Sequence, residues 1–219
     1  LWGGGGRDTL IGGKGNDTIF VDSADDTVIE AIGGGYDTVI TDVSCTLGAG
    51  QEIEFLRTRL QGDKTAINLT GNELANKING NAGDNILDGG AGNDDLWGGD
   101  GNDILIGGKG SDVLAGGAGN DIFRFMPGDF GTLASGGYDR IADFGQGDRI
   151  DLSALESQVS GGHLSFIGTQ GFTGHAGQIG YYDDGKDTFV SGDLDGDKVA
   201  DFVIKISGHH AMTSEHFVL

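Results

Sequence analysis

Along residues 71–126 isolated apolar residues recur at every ninth position: Ile78, Leu87, Leu96, Leu105, Leu114 and Phe123. Each is the middle one of three residues that follow a short glycine-rich stretch, with its two neighbours set to point the other way. That alternation predicts a very short strand with one buried face. A second set at the same spacing, Leu10, Ile19 and Val28, lies near the N-terminus. A turn plus a strand of this length makes half a turn of a flattened coil. Alternate units are therefore expected to stack side by side at strand spacing, about 4.8 Å, with the apolar residues as one inner stack. The fold class this predicts is all-β, a solenoid of stacked coils.

The repeat unit can be written out. It reads GNAGDNILD from Gly80, GGAGNDDLW from Gly89, GGDGNDILI from Gly98, GGKGSDVLA from Gly107 and GGAGNDIFR from Gly116. A worn copy, GNELANKIN from Gly71, has Asn76 where Asp is expected. Near the N-terminus stand GGGGRDTLI from Gly3, GGKGNDTIF from Gly12 and a degraded VDSADDTVI from Val21, followed by IGGGYDTVI from Ile32, two residues out of phase. Six glycine-rich residues can turn tightly and expose carbonyls, and the sixth-position Asp adds a carboxylate, so each loop offers hard oxygen ligands. The consensus G-G-x-G-x-D-x-U-x resembles the calcium-binding nonapeptide of RTX proteins.

Candidate metal ligands follow from position. They are the carboxylates or amides Asp8, Asp17, Asp26, Asp37, Asn85, Asp94, Asp103, Asp112 and Asp121, and the loop glycines Gly89, Gly92, Gly98, Gly101, Gly107, Gly110, Gly116 and Gly119. Stacking of alternate units pairs Asp94 with Asp112, Asp103 with Asp121, Asn85 with Asp103 and Asp8 with Asp26, and Asp17 with Asp37 in a slipped register. A carbonyl-rich, flexible cage suits Ca2+ better than Mg2+, and the Cys and His that Zn2+ prefers are missing from these loops. The competing reading, ordinary turn-forming Asp and Gly, is weakest for the unbroken second block.

Composition sharpens this. Of 219 residues 45 are Gly and one is Pro, and 34 acidic side chains face 13 basic ones for a formal net charge of −21. Such acidity argues against nucleic acid and anionic membrane as partners and for cations. With only 37% apolar residues, burial alone is poorly placed to offset chain entropy and self-repulsion. Roughly five sites, each filled at about 100 times its dissociation constant, would contribute about 2.7 kcal/mol apiece, on the order of 13 kcal/mol together. Five divalent ions would also bring the charge of −21 to about −11. No apolar stretch is long enough for a membrane span. The chain opens in mid-motif, which suggests a piece of a longer protein, and its single cysteine, Cys45, excludes an internal disulfide.

Four segments are expected: a first repeat block at 1–44, an irregular connector at 45–70, a second block at 71–126 and a C-terminal capping region at 127–219. The last carries YDRIADFGQGDRIDLSAL from Tyr138, FTGHAGQIGYY from Phe172, GDLDGDKVADFVIKISG from Gly192 and a terminal Glu215-His216-Phe217-Val218-Leu219. Repeats followed by these segments resemble the C-terminal half of RTX proteins of the serralysin type. The resemblance implies a parallel β-roll capped by a small antiparallel β region, export from a bacterium by a type I secretion apparatus, and calcium-driven folding outside the cell. Asp193, Asp195, Asp197 and Asp201 sit at positions 1, 3, 5 and 9 of what resembles a shortened EF-type loop, a further candidate calcium site.

Catalytic motifs are missing: none of the histidines forms H-E-x-x-H and no G-x-S-x-G occurs. The chain is read as a noncatalytic calcium-binding module of a secreted protein. The alternatives are the tail of a secreted protease, lipase or polysaccharide epimerase, or part of a calcium-rigidified adhesin with a glycan or cell-surface partner. His209, His210, Glu215 and His216 read as a polar surface, and Tyr181 and Tyr182 as packing of the cap.

Overall fold

The computed structural model describes residues 1–130 and 137–219. Its strands are short, as the nine-residue period demands: β1 (Thr9–Ile11), β2 (Thr18–Val21), β3 (Thr27–Ile29), β4 (Thr38–Thr41), β5 (Cys45–Thr46), β6 (Phe55–Thr58) and β7 (Leu69–Thr70) lead into the second block. There follow β8 (Lys77–Asn79), β9 (Ile86–Asp88), β10 (Asp95–Asp100), β11 (Ile104–Ile106), β12 (Val113–Ala118) and β13 (Ile122–Arg124). The C-terminal part adds β14 (Asp139–Ile141), β15 (Arg149–Asp151), β16 (Ser165–Gly168), β17 (Gln178–Asp183), β18 (Thr188–Asp193), β19 (Phe202–Ile206) and β20 (Phe217–Val218).

Successive strands alternate between two facing sheets. One runs β16-β17-β18-β19-β14-β12-β10-β8-β6-β4-β2, the other β20-β15-β13-β11-β9-β7-β5, and β1 pairs with β3 alone. Pairing is parallel throughout the repeats, with Leu96 opposite Ile78 and Leu114, and Leu105 opposite Leu87 and Phe123. This is the parallel β-roll. The antiparallel part is the meander β17-β18-β19, which lies at the C-terminal end of the same sheet and is carried on it by β14 through the Ile141↔Ile206 register.

The inner stack consists of the eighth-position residues of the units. Ile19, Ile78, Leu87, Leu96, Leu105, Leu114 and Phe123 have no exposed surface, and Leu10 is buried. Each such side chain contributes roughly 1.5–3 kcal/mol by leaving water. Val28 differs: it is only half-buried, because β3 has no strand beyond it and the second sheet starts afresh at β5. A cleft of about 160 Å3 bordered by Val28, Cys45 and Leu47 marks the mismatch. The connector continues the roll with Leu56 and Leu69 in the stack, although its coils are longer, with Cys45 opposite Leu69 and Phe55 opposite Lys77.

The change of sequence texture after Met126 does not interrupt the sheets. Leu114 is followed in the stack by Ile141 and Ile206, and Phe123 by Ile150 and Phe217. Beyond them an aromatic group closes the end: Phe130 stacks on Phe202 at 4.4 Å and on Phe125 at 5.6 Å. Tyr181 packs on Phe166 (6.1 Å) and Tyr182 on Phe189 (4.9 Å), so both tyrosines serve the cap. Among the described residues no helix is long and apolar enough to cross a membrane.

Candidate metal centre

The sixth residue of each unit sits where the turn ends and the strand begins, so stacking places these side chains in a row up each side of the roll. One carboxylate oxygen in each has a fixed task. Asp94 Oδ1 accepts the Asn76 N–H (2.7 Å), Asp112 Oδ1 the Asp94 N–H (2.8 Å) and Asp139 Oδ1 the Asp112 N–H (2.8 Å). On the other side Asp103 Oδ1 accepts the Asn85 N–H (2.7 Å), Asp121 Oδ1 the Asp103 N–H (2.8 Å) and Asp148 Oδ1 the Asp121 N–H (2.9 Å).

In five of these six the second oxygen has no partner; Asp148 Oδ2 accepts the Gly145 N–H (2.8 Å). Oδ2 of Asp94, Asp103, Asp112, Asp121 and Asp139 is buried without a hydrogen bond, in side chains exposed by 2% or less. Each of the first four points at the first glycine of its own loop. A Cβ placed on Gly89 would stand 2.5 Å from Asp94 Oδ2 and 2.5 Å from the Gly107 carbonyl oxygen of the next coil, and Gly98 faces Asp103 Oδ2 and the Gly116 carbonyl in the same way. Only glycine leaves this space to oxygen atoms. The fourth-position glycines line the same turns: a Cβ on Gly110 or Gly119, both at positive φ, would collide with the carbonyl oxygen of Gly92 or Gly101.

Electrostatics give the same answer. Burial pushes the Asp94 and Asp103 carboxyls up from 3.8 to about 7, Asp112 and Asp121 to about 6, and Asp139 to about 8, with neighbouring carboxylates adding to the effect. Raising a carboxyl from 3.8 to about 7 corresponds to roughly 4 kcal/mol in favour of its protonated form. Ionising a row of such groups at neutral pH carries a cost that a counter-charge would relieve, and an anionic oxygen beside backbone carbonyls is a donor set for a hard cation. The residues therefore fit calcium, which Oδ2 of the Asp residues and first-position glycine carbonyls such as those of Gly107 and Gly116 would hold.

Asparagine changes the picture at the start of the second block. Asn85 Oδ1 accepts the Asn81 N–H (2.9 Å) while its Nδ2 donates to Asn81 Oδ1 (3.0 Å). Asn76 likewise accepts from Asn72 N–H and donates to the Ile53 carbonyl. Both amides are satisfied by protein atoms, so Asn85 has no free oxygen of the kind its Asp counterparts present.

In the first block Asp8 N–H donates to Asp26 Oδ1 (3.0 Å), and the out-of-phase unit brings Asp37 Oδ1 to the Asp17 N–H (2.7 Å). Asp37 is fully buried, and Oδ2 of Asp8 and Asp37 is without a partner. Asp26 is already engaged by Ser23 N–H as well (3.3 Å). In the EF-like loop, ligand atoms of Asp193, Asp195 and Asp197 lie within 4.8 Å of one another. Both Asp193 oxygens accept turn amides, from Gly196 and Lys198, and Asp201 closes the loop by accepting the Leu194 N–H (2.6 Å). His209 pairs with Asp183 (2.7 Å), and His216 Nδ1 accepts the Thr213 N–H, so the terminal histidines are tied into separate turns.

Sequence reasoning missed Asp139 and Asp148, which terminate the two rows. Their signal is the tail of the repeat, Asp-Arg-Ile in both YDRI and GDRI, surviving after the first two glycines of the unit are lost. It also missed Glu30, buried with Oε2 unpartnered, and a second ladder in which fifth-position side chains cap the next coil, as Asn93 Oδ1 accepts Ser111 N–H and Asn102 Oδ1 accepts Asn120 N–H.

Comparison with known proteins matches the family profile described as peptidase M10 serralysin C terminal over residues 1–219. No curated protein matches the chain. Among solved structures, the AlgE6R2 subunit of the Azotobacter vinelandii mannuronan C5-epimerase is similar at 26% identity and a TM-score of 0.49, over 71% of this chain and 92% of that one. The AlgE6R3 subunit of the same enzyme is similar at 27% identity and a TM-score of 0.41, over 81% of this chain and 83% of that one.

Proposed function

The chain belongs to the peptidase M10 serralysin C-terminal family, and from that premise we propose that it is a noncatalytic, calcium-binding module that orders on meeting extracellular calcium, supporting type I export and the stability of a larger secreted bacterial protein. The observation that carries this reading is the row of five buried aspartates, each with one oxygen bonded and the other without a partner. Proton or cation must neutralise them, and at neutral pH outside a cell millimolar calcium is the available hard cation.

Extracellular modules commonly bind calcium with dissociation constants of about 10⁻⁴–10⁻³ M, far above cytosolic free calcium. Inside the cell the carboxylates repel one another, and a chain with 45 glycines and a charge of −21 stays extended enough for a narrow export channel. Outside, the same carboxylates hold the coils together. Calorimetric titration with calcium, paired with far-ultraviolet circular dichroism in chelator and in millimolar calcium, tests the reading. Calcium-dependent heat and a gain of β signal are expected; an unchanged β spectrum with no heat would falsify it.

A further inference from the structure

The coil joining the first two repeat units to the out-of-phase one differs from those at Gly89 and Gly98 in where the oxygen beside the Asp Oδ2 comes from. In the second block the space beside Gly89 is shared by Asp94 Oδ2 and a backbone carbonyl, that of Gly107. In the corresponding space beside Gly12 stand Asp17 Oδ2 and a side-chain oxygen, Glu30 Oε2. Asp17, Glu30 and Asp37 each bring an oxygen within 4.8 Å of the others. Glu30 is 4% exposed and Asp37 not at all, and Oε2 of Glu30 and Oδ2 of Asp37 are both buried without a partner.

Glu30 is fixed in this position. Its Oε1 accepts the Gly13 N–H (2.9 Å) and the Ala31 N–H (3.0 Å), and its own N–H donates to Gln51 Oε1. The two-residue slip, with Thr18 opposite Thr38, supplies the extra chain that lets Glu30 turn inward. Neutral oxygens are close by: a Cβ on Gly34 would lie 2.9 Å from the Gly13 carbonyl and 3.0 Å from that of Ala31.

We propose that Asp17, Glu30 and Asp37 form a tricarboxylate cation site, a slipped repeat pair completed by a carboxylate from outside the repeat, which fills before the other sites and prefers a trivalent over a divalent ion of calcium's size. This rests on the calcium reading above, which it deepens by assigning a ligand that the repeat does not contain. Three carboxylates attract a cation more strongly than two carboxylates or one with carbonyls, and the gain grows with ionic charge. Tyr36, next to Asp37, provides a near sensitiser for terbium emission.

The test is a titration of the whole chain with Tb3+, read by luminescence sensitised through tyrosine near the first block and through Trp97 in the second, then competition with Ca2+. Wild type, Glu30→Gln and Asp103→Ala are compared. An early Tb3+ class is expected that Glu30→Gln weakens at least tenfold while later classes stay put, and Asp103→Ala should do the reverse. If Glu30→Gln superimposes on wild type while Asp103→Ala loses affinity, the repeat sites stand and the tricarboxylate site is refuted. If no variant and no ion produces a response, the calcium reading fails and this inference with it. Should Glu30→Gln not reach the wild-type β signal in saturating calcium, crystals of the wild-type chain with one equivalent of Tb3+ decide the matter: an anomalous peak between Asp17, Glu30 and Asp37 supports the site, and peaks confined to the repeat loops overturn it.

Discussion

Replacing Asp103 by Asn should change stability in opposite directions depending on calcium. Asp103 is fully buried, its Oδ1 accepts the Asn85 N–H at 2.7 Å, and its Oδ2 faces Gly98 and the Gly116 carbonyl without a partner. Asn keeps the first bond and presents an N–H2 where the lone oxygen stood, as Asn85 does one coil earlier by donating to Asn81. The charge that burial penalises is gone. Because the Asp103 carboxyl is raised from 3.8 to about 7, holding it ionised in the metal-free roll at pH 7.5 costs about 4 kcal/mol. Asp103→Asn should recover most of that in chelator, and in calcium it should lose the anionic ligand and weaken binding tenfold or more. Urea unfolding followed by circular dichroism, in chelator and in 5 mM calcium, reads both, with an excluded osmolyte added equally to all samples so that the metal-free state folds. A variant less stable than wild type in chelator, or one whose calcium-dependent stabilisation is unchanged, would show that Oδ2 is not an unmet electrostatic cost.

Other perturbations follow from the same geometry. In chelator, the buried carboxyls have folded-state values raised above 3.8 to about 6 to 8, so their contribution is fully present below that ordinary value and is lost as pH rises through about 6 to 8; circular dichroism in chelator should show more β structure near pH 5 than at pH 8, and saturating calcium should abolish the difference. Gly119→Ala puts a Cβ against the Gly101 carbonyl at a φ of 151° and should cost about 2–4 kcal/mol in calcium, whereas Gly145→Ala, whose Cβ would have 3.7 Å of clearance, should stay within about 0.5 kcal/mol by the same unfolding assay. Leu105→Ala, in the middle of the stack with no exposed surface, should cost about 2–5 kcal/mol. Deleting residues 127–219 removes Asp139, Asp148 and Asp143, which accept the Asp112, Asp121 and Gly116 amides; the truncated chain should bind calcium more weakly and less cooperatively in calorimetry, and an unchanged isotherm would refute the capping role.

How much of this was legible in the sequence depends on what each feature obeys. The inner stack from Ile78 to Phe123 and the eighteen-residue pairing of Asp94 with Asp112 follow from a strict period, and a strict period leaves one way to stack. Asn85 illustrates the limit. By position it belongs with the ligands, but an amide carries its own donor, and Asn81 stands where it can be used. Glu30 lies at no repeat position at all; only the slip between β2 and β4 brings it inward. Asp139 and Asp148 were hidden because their units had lost the first two glycines of the repeat while keeping the Asp-x-Ile tail that pairs with β12 and β13.

These departures from the repeat share a physical consequence. Where Asp stands at the sixth position the coil is incomplete until a cation arrives, and where Asn stands the coil completes itself. Asn76 and Asn85 fall between the first block and the run from Asp94 to Asp139, and their side chains bond back to Ile53 and Asn81. No carboxylate row therefore crosses the connector, and the two blocks communicate through the apolar stack of Leu56, Ile78 and Leu96. On the calcium reading ions would order each block, and packing joins them. The second block is completed from the C-terminal side, where Asp139 has the carboxyl raised furthest, to about 8, and where Ile141 and Ile150 extend the stack into the cap. That end has both the strongest demand for a counter-charge and an apolar stack that continues into the cap, so it is where ordering of the roll should begin.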